Sequence, residues 1–110
     1  MTDLARQHCE VCTPGTPTLS AAEVAQLRAE LQAGWEADGV SRLRRHLRFK
    51  DFAGAFAAAT RVALIAEAEG HHPDLAVGWG RLDIELTTHA AKGLTRNDFI
   101  LAARIDAALP

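Results

Sequence analysis

Two adjacent histidines, His71 and His72, stand directly before Pro73 and Asp74 and one helical turn after Glu67, and a third, His89, follows Thr87-Thr88. Imidazole is the side chain whose unperturbed pKa lies nearest neutrality, so three of them with acidic neighbours can give and take protons near pH 7. The adjacent pair has three physical readings. As metal ligands the two are poorly placed, because consecutive side chains of an extended segment point to opposite sides, unlike histidines four apart on a helix. As a structural device, one could cap a helix C-terminus as a cation. As acid–base groups they gain force from Glu67 and from His89.

A second set is His8-Cys9-Glu10-Val11-Cys12. A Cys-x-x-Cys pair can be half a zinc site or a redox couple, but a closed zinc site needs four ligands and no second such pair follows. The plainer reading is two reduced thiols on a mobile arm. Thr13-Pro14-Gly15-Thr16-Pro17-Thr18 cannot hold regular structure, so residues 1–18 are expected as a flexible N-terminal arm and residues 19–110 as one domain.

The elements around these groups follow from pattern. Ser20 and Glu23 form a capping box, with Leu19 and Val24 as a staple, and Val24, Leu27 and Leu31 make the apolar stripe of a helix ending at Gly34. Asp38-Gly39 favours a two-residue hairpin turn. Leu43, Leu47 and Phe49 then alternate with Arg42, Arg44, His46 and Arg48, a strand with one basic face. A long helix starts near Asp51, and Pro73, which biases His72 away from the α region, ends it near Gly70. Its stripe is Phe52, Phe56, Ala59, Ala63 and Ala66, but the opposite side is apolar too, which predicts self-association through this helix or a sheet edge. Ala76–Gly80 reads as a short strand, and the next strand alternates Leu82, Ile84 and Leu86 inward with His89 at its end or on its outer face. Thr95 and Asp98 form a second capping box, opening a last helix. Helix, two strands, long helix, two strands, helix predicts an α+β, two-layer domain: a four-stranded antiparallel sheet with helices packed on one face.

At 110 residues and 48% hydrophobic content the chain can build one core, and 24% charged residues is an ordinary globular value. A net charge of −2 argues against nucleic acid or an acidic membrane as partner. There is no apolar run of membrane-spanning length and no signal peptide core at the N-terminus, so a cytoplasmic protein is expected.

The run Glu67-x-x-x-His71-His72-Pro73-Asp74, the later Thr88-His89, and Gly93-Leu94-Thr95-x-x-Asp98-Phe99-Ile100-x-Ala102-Ala103 resemble the pterin-4a-carbinolamine dehydratases. The similarity extends upstream through Arg61-Val62-Ala63 and Phe49-Lys50-Asp51-Phe52-x-x-Ala55-Phe56 to Gly34-Trp35, and covers roughly residues 19–108. The Cys-x-x-Cys arm is similar to that of bacterial members that work beside phenylalanine hydroxylase. Two positions depart from the animal pattern, Gly70 for an acidic residue and Asn97 for an arginine; both resemble bacterial relatives.

The resemblance implies loss of water from 4a-hydroxytetrahydrobiopterin to give quinonoid dihydrobiopterin, in recycling the cofactor of aromatic amino acid hydroxylases. It implies His71, His72 and His89 as the proton-transfer set, with Glu67 as an orienting carboxylate and Pro73, Trp79 and Asp98 beside the pterin. It implies no metal, nucleotide or redox cofactor, a homodimer or homotetramer, and functional coupling to phenylalanine hydroxylase. Asp98 also has a purely capping reading, and Trp79 a core one. A different function remains open: a non-catalytic dimerisation or coactivator module of the same fold. A nucleic-acid binder built on Arg42, Arg44, Arg45 and Arg48 is disfavoured by the acidic total and sparse aromatics.

Overall fold

The structure, a computed structural model, describes residues 3–109. Strand β2 (Arg42–Arg48) alternates as its sequence predicts, with Leu43 buried and Leu47 half-buried beneath a basic outer face. It pairs antiparallel with β1 (Glu36–Asp38) through a three-residue connection, not the two-residue turn suggested by Asp38-Gly39. The added residue has a partner elsewhere. Gly39 takes φ +56, and the Val40 carbonyl accepts the Leu94 amide at 2.9 Å, tying this loop to the segment before the last helix.

Strands β3 (Asp74–Gly78) and β4 (Arg81–Leu86) form the second hairpin, closed by Trp79-Gly80 with Gly80 at φ +70. The sheet order is β1-β2-β4-β3, antiparallel throughout. Leu82, Ile84 and Leu86 are buried, as the alternation requires, and the helices cover that face. The basic outer face is largely neutralised: Glu85 takes Arg42 at 2.8 Å and Arg44 at 3.2 Å, and Asp83 bonds His46 at 2.6 Å.

Helix α1 (Ala21–Arg28) opens on its capping box, the Ser20 amide donating to Glu23 at 2.9 Å and the Glu23 amide to the Ser20 hydroxyl at 3.2 Å. It stops before reaching Gly34, although Leu31 is still buried in the turn that follows. Helix α2 (Phe52–Glu69) is capped by Asp51, which accepts the Gly54 amide at 2.8 Å. Its sheet-facing stripe is Ala55, Ala58, Ala59, Val62 and Ala66, rotated from the one expected. Small side chains let the helix approach the sheet closely, and the large ones are turned out. Phe52 and Phe56 stack in solvent at 6.0 Å, and Leu64, about two turns further along, is exposed as well.

Helix α3 (Arg96–Ala108) is buried on more than one side, from Asn97 through Asp106 apart from half-buried Arg104. One side faces the core. Another is covered by the N-terminal arm, whose turn at Leu4–Arg6 buries Leu4 completely in the main hydrophobic cluster. Residues 4–12, expected as a mobile arm, thus lie docked in the structure. At the far end of α3, Asp106 accepts the Trp35 indole N–H at 2.8 Å and pairs with Arg45. No helix among the described residues is long and apolar enough to cross a membrane.

Candidate active site

The end of α2 decides where the histidines go. Gly70 adopts φ +66, the His71 amide returns to the Ala66 carbonyl at 3.2 Å, and the Gly70 amide to the Glu67 carbonyl at 3.3 Å. This Schellman closure needs a residue tolerant of the left-handed region, hence glycine. Beyond it Pro73 disfavours the α region for His72, and the two side chains diverge. His71 turns inward to α3, where its Nε2 lies 2.6 Å from Asp98 Oδ1; His72 turns outward, its Nε2 2.9 Å from Glu67 Oε1.

Asp98 is fully buried at the first turn of α3. Its second oxygen accepts the Thr95 amide at 3.0 Å and the Thr88 hydroxyl at 2.7 Å, and the Thr88 and Thr95 hydroxyls are 2.8 Å apart. The helix cap and the histidine partner are therefore the same carboxylate. A carboxylate that only accepts leaves the proton of this hydrogen bond on His71 Nε2, so Nδ1 is the nitrogen free for another partner.

His89 arrives from the neighbouring strand, β4, whose end lies beside the start of β3. Strand β4 ends at Leu86, and Thr88 bridges Gly93, with amide-to-carbonyl bonds of 3.2 and 3.4 Å. The loop between them makes one 3-10 turn, His89–Ala91, and closes with Lys92 at φ +61. A lysine held in that region costs on the order of 1 kcal/mol or more. The closed loop holds His89 at the surface, next to Thr88 of the Asp98 network.

All three histidines line one cleft of about 300 Å³. Its other walls are Thr87, Thr88 and Ala90 from the β4–α3 connection, Asn97 from α3, and Glu10, Val11 and Cys12 from the arm. The structure thus brings His71, His72 and His89 together, with Asp98 behind the first and Glu67 beside the second. Pro73 follows His72 directly, at the start of β3. Trp79 is not brought to this site. It is exposed in the β3–β4 turn, beyond the four register steps from Asp74 to Gly78, roughly 13 Å of strand from the histidine end.

Sequence reasoning noted the arm and Asn97 but did not place them at the cleft. The signal was spread over distant residues: Asn97 carries the arm by two bonds to Glu10, and Glu69 takes the Cys9 amide at 2.8 Å and His8 at 2.9 Å. Burial, with Glu69 and Asp98 nearby, pushes the Cys9 thiol up to about 12. It therefore stays protonated at neutral pH, which is unfavourable for a nucleophile or a metal ligand. Both cysteines are free, and among the described residues no three His, Cys, Asp or Glu side chains form a metal-binding group.

Comparison with known proteins finds relatives along most of the chain. Residues 17–108 match the family model for pterin 4 alpha carbinolamine dehydratase. A protein of Syntrophotalea carbinolica provisionally named as such a dehydratase is 44% identical over 99% of both chains. One from Chlorobium limicola with the same provisional name is 48% identical over 94% of both. Among solved structures, a transcriptional coactivator/pterin dehydratase from Brucella melitensis superposes with a TM-score of 0.76 at 34% identity, covering 83% of this chain and 97% of that one. By sequence and by fold alike, the chain belongs to the pterin 4 alpha carbinolamine dehydratase family.

Proposed function

We propose that the protein is a 4a-hydroxytetrahydrobiopterin dehydratase, a lyase that returns the spent pterin of an aromatic amino acid hydroxylase toward its active form. The observation that supports this reading most is the convergence of three imidazoles on one cleft, with one of them fixed on a buried carboxylate. In the reaction the N5–H proton leaves, its electron pair becomes the second bond between N5 and C4a, and the C4a–O bond breaks. The departing hydroxyl takes a proton and leaves as water. Protons are redistributed and nothing is oxidised or reduced overall.

His71 is assigned the base, since Nε2 is occupied by Asp98 and Nδ1 keeps its lone pair. His72 and His89 are assigned to the leaving oxygen and to pterin contact, with Glu67 orienting His72. Positioned acid–base groups supply about 10²–10⁴-fold, adequate for an elimination that also proceeds without a catalyst. The work would be done in the cytoplasm, beside phenylalanine hydroxylase. The exposed Phe52, Phe56 and Leu64 on α2 support a homodimer or homotetramer.

The same exposed face supports a second reading, a non-catalytic coactivator-type module, the more so because one solved relative carries both descriptions. A hydroxylase-coupled assay separates them. The parent should speed decay of the carbinolamine, and folded His71→Ala and His89→Ala variants should each lose most of that acceleration. Equal acceleration by both variants would remove the site assignment, and an inert parent would favour the second reading.

A further inference from the structure

The arm reaches the cleft through a series of fixed points. Leu4 is buried, Arg104 Nε donates to the Gln7 carbonyl at 2.8 Å, and the Cys9 amide donates to Glu69 at 2.8 Å. Asn97 then grips the next residue from both sides, its Oδ1 accepting the Glu10 amide at 2.9 Å and its Nδ2 donating to the Glu10 carbonyl at 2.6 Å. Two bonds to the amide and carbonyl of one residue fix it as a strand partner would. Asn97 is itself only 5% exposed, so the clamp is built into the wall of the cleft.

The residue whose backbone this clamp holds carries a carboxylate. Among the described residues that line the cleft, Glu10 is the one acidic side chain. Asp98 and Glu67 are engaged by His71 and His72, whereas the hydrogen bonds of Glu10 are made by its backbone. The pyrimidine edge of a pterin carries an exocyclic amino group beside a ring N3–H, two donors pointing the same way. A carboxylate matches two parallel donors, as it does in pairing with guanidinium. Neither the histidines nor the threonines of the cleft offer two acceptor oxygens on one planar group.

Resting on the dehydratase reading, we infer that Glu10 binds the amino–N3–H edge of the pterin, with Asn97 as the positioning residue that holds it there. The arm then sets which ring the cleft accepts. It selects a pteridine with a donor–donor edge over one with oxygen in place of the amino group, which would set a carbonyl against the carboxylate.

The test is equilibrium binding of two probes, a dihydropterin and the matching dihydrolumazine, to the full-length parent, Glu10→Gln and Asn97→Ala. The parent should prefer the dihydropterin by about ten- to hundredfold, the range for a hydrogen bond to a charged group. Glu10→Gln should lose most of that preference while still binding dihydrolumazine. Asn97→Ala should lose it too, and the double variant should fall no further than the single ones, since both act through one contact. Glu10→Gln retaining the parental preference would overturn the inference, as would equal weakening of both probes, which signals only a disturbed arm. A parent that binds neither probe takes the dehydratase reading down with it. A parent that dehydrates the carbinolamine while Glu10→Gln keeps its preference sinks the role of Glu10 alone.

Discussion

His71 and His72 are neighbours in the chain and each bonds a carboxylate, yet the two pairs differ in what they can do. The His71 ring is 11% exposed on an Asp98 that is fully buried; the His72 ring is 62% exposed on a Glu67 that is 79% exposed. In the first pair three further groups converge: the Thr95 amide and the Thr88 and Thr95 hydroxyls. In the second, solvent competes for each bond. Low local dielectric strengthens a satisfied network and makes a broken one costly, whereas an exposed ion pair is worth about 0–1 kcal/mol. One histidine is set by the fold; the other is left free to adapt to what enters the cleft.

The sharpest way to break this contrast is Asp98→Asn. An amide keeps the shape, but its NH₂ cannot accept, so either the His71 Nε2–H or the Thr95 amide and Thr88 hydroxyl are left facing a donor. Stability should fall by about 1–3 kcal/mol in urea unfolding. The dehydration kcat should fall about a hundredfold, because His71 loses the acceptor that fixes its tautomer and ring position. A kcat within threefold of the parent would mean that Asp98 is a helix cap and nothing more.

The last turn of α2 repeats the contrast within two residues. The Glu69 side chain is 6% exposed and the Glu67 side chain 79%. Burial alone would raise the Glu69 pKa, but the Cys9 amide, His8 and Arg104 outweigh it and hold the carboxyl below its ordinary 4.5. A depressed folded-state value means stabilisation that is complete above pH 4.5 and is lost as pH falls through the lowered value. Glu69→Gln should cost about 1–2 kcal/mol at pH 7 and flatten the acid limb of stability. Unfolding midpoints from pH 7 downward would show this; parallel curves for parent and variant would mean that the arm does not depend on Glu69.

Why the sequence showed some of this and hid the rest can be followed residue by residue. Strand alternation at Leu82, Ile84 and Leu86, the Ser20–Glu23 box and the Gly70 stop are local signals, each completed within a few residues, and they gave the two-layer α+β fold. The histidine site was legible because two of its members are adjacent and the third sits at a strand end. The arm was not, since its anchors lie 60 to 97 residues away in sequence and each looks ordinary alone: a glutamate, an asparagine, an arginine. For the same reason cover on more than one side within the chain is found on α3, whose Asn97, Asp98 and Asp106 look polar until their partners are seen. Spacing placed Phe52 and Phe56 on one apolar stripe of α2, but the buried stripe is mostly alanine, which is what lets a helix lie close on a sheet.

The smallest effect tests the loose side of the comparison. Glu67→Gln removes the charge opposite His72 but keeps a side-chain oxygen that can accept from Nε2 at much the same distance. The pair is exposed on both sides, so unfolding stability should change by less than about 0.5 kcal/mol. Any larger effect must then come from chemistry in the cleft. If His72 carries the proton for the leaving oxygen, Glu67 holds its ring in place through Nε2, and the variant should lose about threefold in kcat. A loss of stability near that of Asp98→Asn would show that His72 is as firmly built in as His71. An unaltered kcat would instead leave His89 as the proton donor and reduce Glu67 to a solvated neighbour.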